Sequence, residues 1–192
     1  MNGILVHIEL TLTVIKILTL VILGAFGKDS IRAMIFNRPE SGSVEQFEHS
    51  LFVFVCTSMV FQLIGIAIRD VITTLDVGVQ AVRQIFYISY SIHEGLFMVA
   101  VIQWHNFKKC NFAKITTYGF YVSGMLVILM MSRYVDRVVF GTDVLKVIYT
   151  QIVVLTNVFM CLLMAAYPLQ KLLQFITFKF KPSNRQQGDE NP

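Results

Sequence analysis

Charge is what this chain has least of. Only 15% of its 192 residues are Asp, Glu, Lys or Arg, where an average globular domain carries about 25%, and 55% are hydrophobic. Such a chain has too few polar side chains to cover a water-facing surface, which leaves little room for a soluble domain. Cysteine is also scarce. Cys56, Cys110 and Cys161 are too far apart for a CxxC metal or redox motif, and no disulfide framework is implied. The excess of basic residues is only +4 and lies mostly between and after the apolar runs, so nucleic acid is not an expected partner. HExxH, GxSxG, GxxxxGK[ST] and a Gly-rich dinucleotide turn are all missing. Ser58, Ser91 or Ser123 could be paired with His93 or His7 in a rhomboid-like site, but no flanking motif accompanies them. The expectation is a protein that is not an enzyme and needs no cofactor or metal. The opening Met1-Asn2-Gly3 has no basic side chain and Lys16 interrupts the first apolar run, so that run reads as a retained segment rather than a signal peptide.

What the sequence does have is length in its apolar runs. A membrane-spanning helix needs about 20 mostly apolar residues, and five stretches approach that: Ile4 to Phe26, Ser50 to Ile68, Gln84 to Trp104, Ile115 to Ser132, and Val147 to Leu169. The first carries His7, Glu9 and Lys16 and the third His93 and Glu94, so a four-span arrangement with the first segment along the surface is the rival topology. With five spans, Lys28, Arg32, Arg38, Lys108, Lys109, Lys114, Lys171, Lys179, Lys181 and Arg185 fall on one side, against Arg69, Arg83, Arg133, Arg137 and Lys146 on the other. The positive-inside bias then puts the amino terminus outside and the carboxyl tail in the cytoplasm. Residues 1–170 read as the transmembrane bundle and 171–192 as a basic amphipathic and disordered tail.

The connections are short. Gly27 to His49 reads as a solvated connector, in which Ser43 and Gln46 have the spacing of a capping box. Past the fourth span, Arg133, Asp136 and Arg137 lie at i, i+3 and i+4 and form one charged helix face near the head groups, while Gly141-Thr142-Asp143 suggests a helix stop followed by a cap. Lys108, Lys109, Lys171, Lys179 and Lys181 read as membrane-surface cations, the last three in an amphipathic helix with Leu172, Leu173, Phe175, Ile176 and Phe178. His49 and His105 fall at comparable depth near one face. Two haem groups would need paired histidines at two depths, so both are expected among lipid head groups.

The polar residues inside the spans are the best candidates for function, because each costs free energy there unless it finds a partner. Glu9, Thr13 and Lys16 share one helical face, with Glu9 and Lys16 roughly 10 Å apart along the axis. Gln62, Gln151 and Asn157 add amides that usually bond across helices. His93 and Glu94 are consecutive and so point about 100° apart. They cannot act as one pair: one can face a neighbouring helix while the other faces a second chain or a pore. The expectation is that they hydrogen-bond across helices and fix packing or oligomer geometry, with an ion- or proton-responsive element as the alternative reading.

Together these readings describe an all-α integral membrane bundle of four or five transmembrane helices with a short amphipathic cytoplasmic C-terminal helix. In size and layout it resembles small membrane components of bacterial phage-defence systems, such as the membrane subunit of Kiwa, and immunity proteins against pore-forming toxins. The resemblance is one of architecture and transfers no site. The polar stripes, the basic cytoplasmic surface and the lack of a catalytic motif lead to the expectation of a homo-oligomeric sensor or scaffold that relays a membrane event to a cytosolic effector, and the resemblance implies a place in the bacterial inner membrane. A small ion channel or proton-linked carrier with its pore between subunits, and a toxin-immunity protein, are the alternatives.

Overall fold

The computed structural model describes residues 3–40 and 42–179, with side chains over 7–40 and 42–177. The helices are α1 (Gly3–Phe26), α2 (Ile31–Phe36), α3 (Val44–Thr74), α4 (Val79–Lys108), α5 (Lys114–Tyr134) and α6 (Lys146–Lys179), with a π-helical turn, Val135–Val139, continuing α5. No strand occurs among the described residues. Five of these helices are long and apolar enough to cross a membrane, the first over His7–Phe26. Helix is what lipid demands of such sequences, because it satisfies every backbone donor and acceptor within its own segment. The ends are set locally. Ser30 Oγ accepts from Ala33 N at 3.2 Å and Ser43 Oγ from Gln46 N at 3.1 Å. The Gln46 side chain closes the box one residue early, accepting from Gly42 N at 2.5 Å.

The five long helices close into a ring. α1 packs on α3, α3 on α4, α4 on α5, α5 on α6, and α6 returns to α1, while α3 also touches α5 across the middle. α1 therefore packs upright between α3 and α6 rather than apart from the bundle. Near its start α3 is buried on every side, from Glu48 through Val55, as befits the helix that the others surround. Phe54 is fully buried with its ring centroid 5.5 Å from that of Phe97, which in turn stacks edge-on with Phe61 at 5.7 Å. Gly119 of α5 makes this possible: a Cβ there would lie 2.3 Å from Phe54 Cζ. The outer surface has the opposite chemistry to that of a water-soluble protein. Leu10, Val21, Leu63, Ile92, Ile128, Leu155 and Leu162 are exposed, as side chains facing acyl chains would be.

α6 runs unbroken through Pro168. A proline has no N–H, so the carbonyl four residues earlier loses its helical donor. That carbonyl belongs to Met164, and Thr19 of α1, itself fully buried, places its hydroxyl 3.3 Å from it while also bonding Ile15 O at 2.8 Å. The basic amphipathic stretch after Pro168 is thus the last part of α6 and not a separate element.

Candidate functional site

Along the α1–α3 seam the polar residues form a ladder. Lys16 is buried, and its ammonium donates to Gln62 Oε1 at 2.8 Å and to the carbonyl of Ser58 at 3.4 Å. Gln62 passes the chain on, its amide donating to Thr13 Oγ1 at 2.6 Å and to Glu9 O at 3.5 Å. One turn further out, Arg69 Nη1 lies 3.2 Å from Glu9 Oε2. The shared face of Glu9, Thr13 and Lys16 thus meets Gln62 and Arg69 of α3, spreading two cations and one carboxylate along the seam. An ammonium left alone at mid-membrane costs about 2.5–3.5 kcal/mol on insertion scales. The amide and carbonyl oxygens at Lys16 reduce that cost by giving it acceptors.

His93 and Glu94 stand beside this ladder on α4. His93 is buried, with Nε2 donating to the carbonyl of Phe61 at 2.8 Å. Tyr90, one turn before it, donates to the carbonyl of Gly65 at 2.9 Å. Glu94 is half-buried and turned towards Ser123 of α5, with Lys16 more distant. The two consecutive residues do point to different neighbours, α3 and α5, yet both neighbours belong to the same subunit. A second chain is not needed to receive either side chain. Two of the expected amides behave differently from Gln62. Asn157 bonds back to its own helix at Val153 O, 2.8 Å. Gln151 is exposed in the second turn of α6 instead of being interhelical, and at that depth head groups can solvate it.

A second polar centre lies at the other end of α3, in a segment whose sequence reads as connector. Glu48 is 1% exposed, and its carboxylate gathers three donors, one from the α1–α2 connection and two from α6. Oε2 accepts from the backbone N–H of Lys28 at 2.7 Å, and Oε1 from Tyr167 Oη at 2.8 Å and Lys171 Nζ at 3.3 Å. Lys171 is therefore tied inward, a quarter exposed. Beside it His49 and His105, at 2% and 1% exposure, lie edge to face with centroids 6.2 Å apart. They are inside the bundle, where α3 and α4 bring them together, and not on the surface that head groups would meet. His105 Nδ1 is bonded to Val101 O at 2.9 Å and Nε2 to Ser50 Oγ at 3.2 Å. Among the described residues no three metal-ligating side chains converge.

Around this end, Lys108 is buried with its ammonium 6.0 Å from the Phe36 ring centroid, whereas Lys109 is exposed. Lys28 pairs with Glu45 at 2.5 Å, and that bond holds its ammonium above the ordinary lysine range. The Lys179 side chain and the whole of Lys181 lie outside the described residues.

At the opposite end the charged face Arg133, Asp136 and Arg137 is drawn inward. Arg133 and Asp136 have 3% and 7% side-chain exposure and pair with each other. Arg133 also binds Asp143, and Thr142 Oγ1 and Leu145 N donate to Asp136. Arg137 is half-buried, 3.8 Å from Asp143. The π turn is what brings Asp143 round: Phe140 N bonds Val135 O, five residues back, at 3.0 Å, and Thr142 N bonds Asp136 O at 2.9 Å. The Arg133 guanidinium holds the Asp143 carboxyl below the usual carboxylate range.

No family model, curated protein or solved structure matches this chain.

Proposed function

We propose that this is a non-enzymatic membrane sensor or scaffold that works as a homo-oligomer and relays a membrane event to a cytosolic effector, in the manner of a membrane subunit of bacterial antiviral defence. The observation that carries the reading is the Glu48 centre. One buried carboxylate joins the α1–α2 connection, the core helix α3 and the end of α6 that leads to the basic tail. A change in how α1 or α6 sits in the membrane would have to break or strain bonds to that carboxylate, so the tail is mechanically coupled to the spans. The α1–α3 ladder gives the same helices a second set of polar contacts that can be exchanged as a unit. Gln151, exposed on α6, offers an amide for a contact between copies. With the carboxyl tail on the cytoplasmic side of a bacterial inner membrane, the effector meets α6 beyond Lys171.

The channel or carrier alternative has less support, because Lys16 and His93 are buried within one subunit and do not line a surface between subunits. Two measurements test the proposal. Native mass analysis of the membrane-extracted protein is expected to give an assembly larger than a monomer that retains a cytosolic partner, and Glu48→Gln is expected to lower that retention. Monomers alone, with no partner retained, would overturn the reading. Ion flux through liposomes that is abolished by His93→Ala and Glu94→Gln would move it to the channel class.

A further inference from the structure

The connection from α2 to α3 and the one from α4 to α5 enclose a cleft of about 370 Å³ at the end of the bundle that carries Glu48. Arg38 and Glu40 line it from one side, Lys109, Cys110 and Asn111 from the other, and Gln46 bridges the two, its amide donating to Asn111 O at 2.8 Å. Among the described residues neither Arg38 nor Lys109 forms an ion pair, and both are exposed. Glu40 brings one carboxylate to the same cleft, which leaves an excess of one positive charge that an anion between Arg38 and Lys109 would offset. Gln46 stands in the first turn of α3 with its N–H capped by Ser43 Oγ at 3.1 Å, so it is the Gln46 side chain that faces the cleft.

Lys109 is held there by an unusual backbone. It caps α4 with φ 50° and ψ 41°, the left-handed conformation. Among the described residues it is the only one other than glycine with positive φ. Glycine would hold this conformation at lower cost; here the cap is closed by Lys109 N on Asn106 O at 3.0 Å and Cys110 N on His105 O at 3.1 Å. The depth of the cleft also fits a membrane surface. It opens directly past the ends of two spans, Val79–Lys108 and Lys114–Val139. Trp104 is exposed near the end of the first of these spans, as tryptophans at head-group level are.

We propose that this cleft binds a phosphate group, with Arg38 and Lys109 as its two cations. Glu40 sets the preference within that class. Its carboxylate repels a phosphate dianion but can accept from the hydroxyls of a polyol head group, so a singly charged phosphodiester such as that of phosphatidylglycerol suits the cleft better than free phosphate. The proposal does not depend on the sensor reading.

Cys110 provides a local reporter, since it lines the cleft. The full chain is placed in phosphatidylcholine nanodiscs with and without phosphatidylglycerol, and separately in phosphatidylcholine nanodiscs with inorganic phosphate. Maleimide modification of Cys110 is followed by peptide mass mapping, which separates it from Cys56 and Cys161. Because Arg38 also acts on the Cys110 thiol, each variant is scored by its own ratio of rates with and without the anion. Phosphatidylglycerol is expected to protect Cys110, and the lipid fraction giving half-protection is expected to rise about five-fold for Arg38→Gln and for Lys109→Gly. Lys109→Gly also relaxes the cap, so loss of protection there is not loss of fold. Arg32→Gln, on the same side but outside the cleft, is expected to leave protection intact. Protection by inorganic phosphate alone would support the site and identify free phosphate as its source. Absence of protection by either anion, or an equal loss with Arg32→Gln, would overturn the proposal.

Discussion

Replacing Glu48 by glutamine keeps the side chain's shape and removes one acceptor and the charge. The buried site offers three donors and no acceptor other than the Tyr167 hydroxyl, which can reverse its role. The new NH₂ is therefore expected to turn towards Tyr167 and leave the carbonyl for the Lys28 N–H. Lys171 then loses its carboxylate partner. Hydrogen bonds to charged groups contribute about 1.5–3 kcal/mol each. The quarter-exposed Lys171 recovers part of its loss by turning to water, so the expected cost is about 2–3 kcal/mol. Unfolding by sodium dodecyl sulfate in mixed micelles measures it, with Trp104 as the only tryptophan signal. A double-mutant cycle with Tyr167→Phe should return a coupling of about 1 kcal/mol. If Glu48→Gln unfolds within about 0.5 kcal/mol of the native protein, the carboxylate is solvated, and the coupling of α6 to the core through it is refuted.

Three other substitutions have outcomes set by the geometry. Gly119→Ala pushes a methyl into the Phe54 ring and is expected to cost about 1–3 kcal/mol, most of it recovered by adding Phe54→Leu; a neutral Gly119→Ala in the same micelle assay would disprove the close contact. Lys16→Met removes the bonds to Gln62 and Ser58 but also a buried charge, so a net change of only about 1 kcal/mol is expected. A loss above about 3 kcal/mol would show that the ladder is held by its charge. Asp143 titrates below its unfolded value because of Arg133. Its contribution is complete at neutral pH, then declines as the pH falls below about 4 towards the lower folded value. Asp143→Asn should flatten that acid limb of the stability–pH curve, and an unchanged limb would assign it to another group.

The spans and the α1 stripe were legible in the sequence because both rest on short-range rules. Lipid selects continuous apolar helix, and the spacing of Glu9, Thr13 and Lys16 fixes a shared face whatever the helix packs against. Glu48, His49 and His105 were not legible as interior residues. Their place depends on where α3 begins relative to the neighbours that surround it, and α3 starts at Val44, well before the apolar run from Ser50. One local signal did exist: Tyr167 and Lys171 are four residues apart and share a face of α6, a donor pair waiting for a carboxylate. The Arg133–Asp143 pair failed for a different reason. Spacing arithmetic assumes 3.6 residues per turn, and the π turn at Val135–Val139 inserts a residue and shifts the phase of the chain beyond it.

The ring order has a consequence for how the protein is made. The first long helix and the last are neighbours, and Thr19 with Met164, like Glu48 with Tyr167 and Lys171, are contacts between early and late parts of the chain. While α6 is still in the ribosome, Thr19 has no Met164 carbonyl to reach, and Glu48 faces a half-built interior with a single backbone donor. Lys16 and Gln62, by contrast, can meet as soon as α3 is inserted. The contacts between α1 and α3 can thus form before those that close α6 onto them, the first through an amide and the last through a charge.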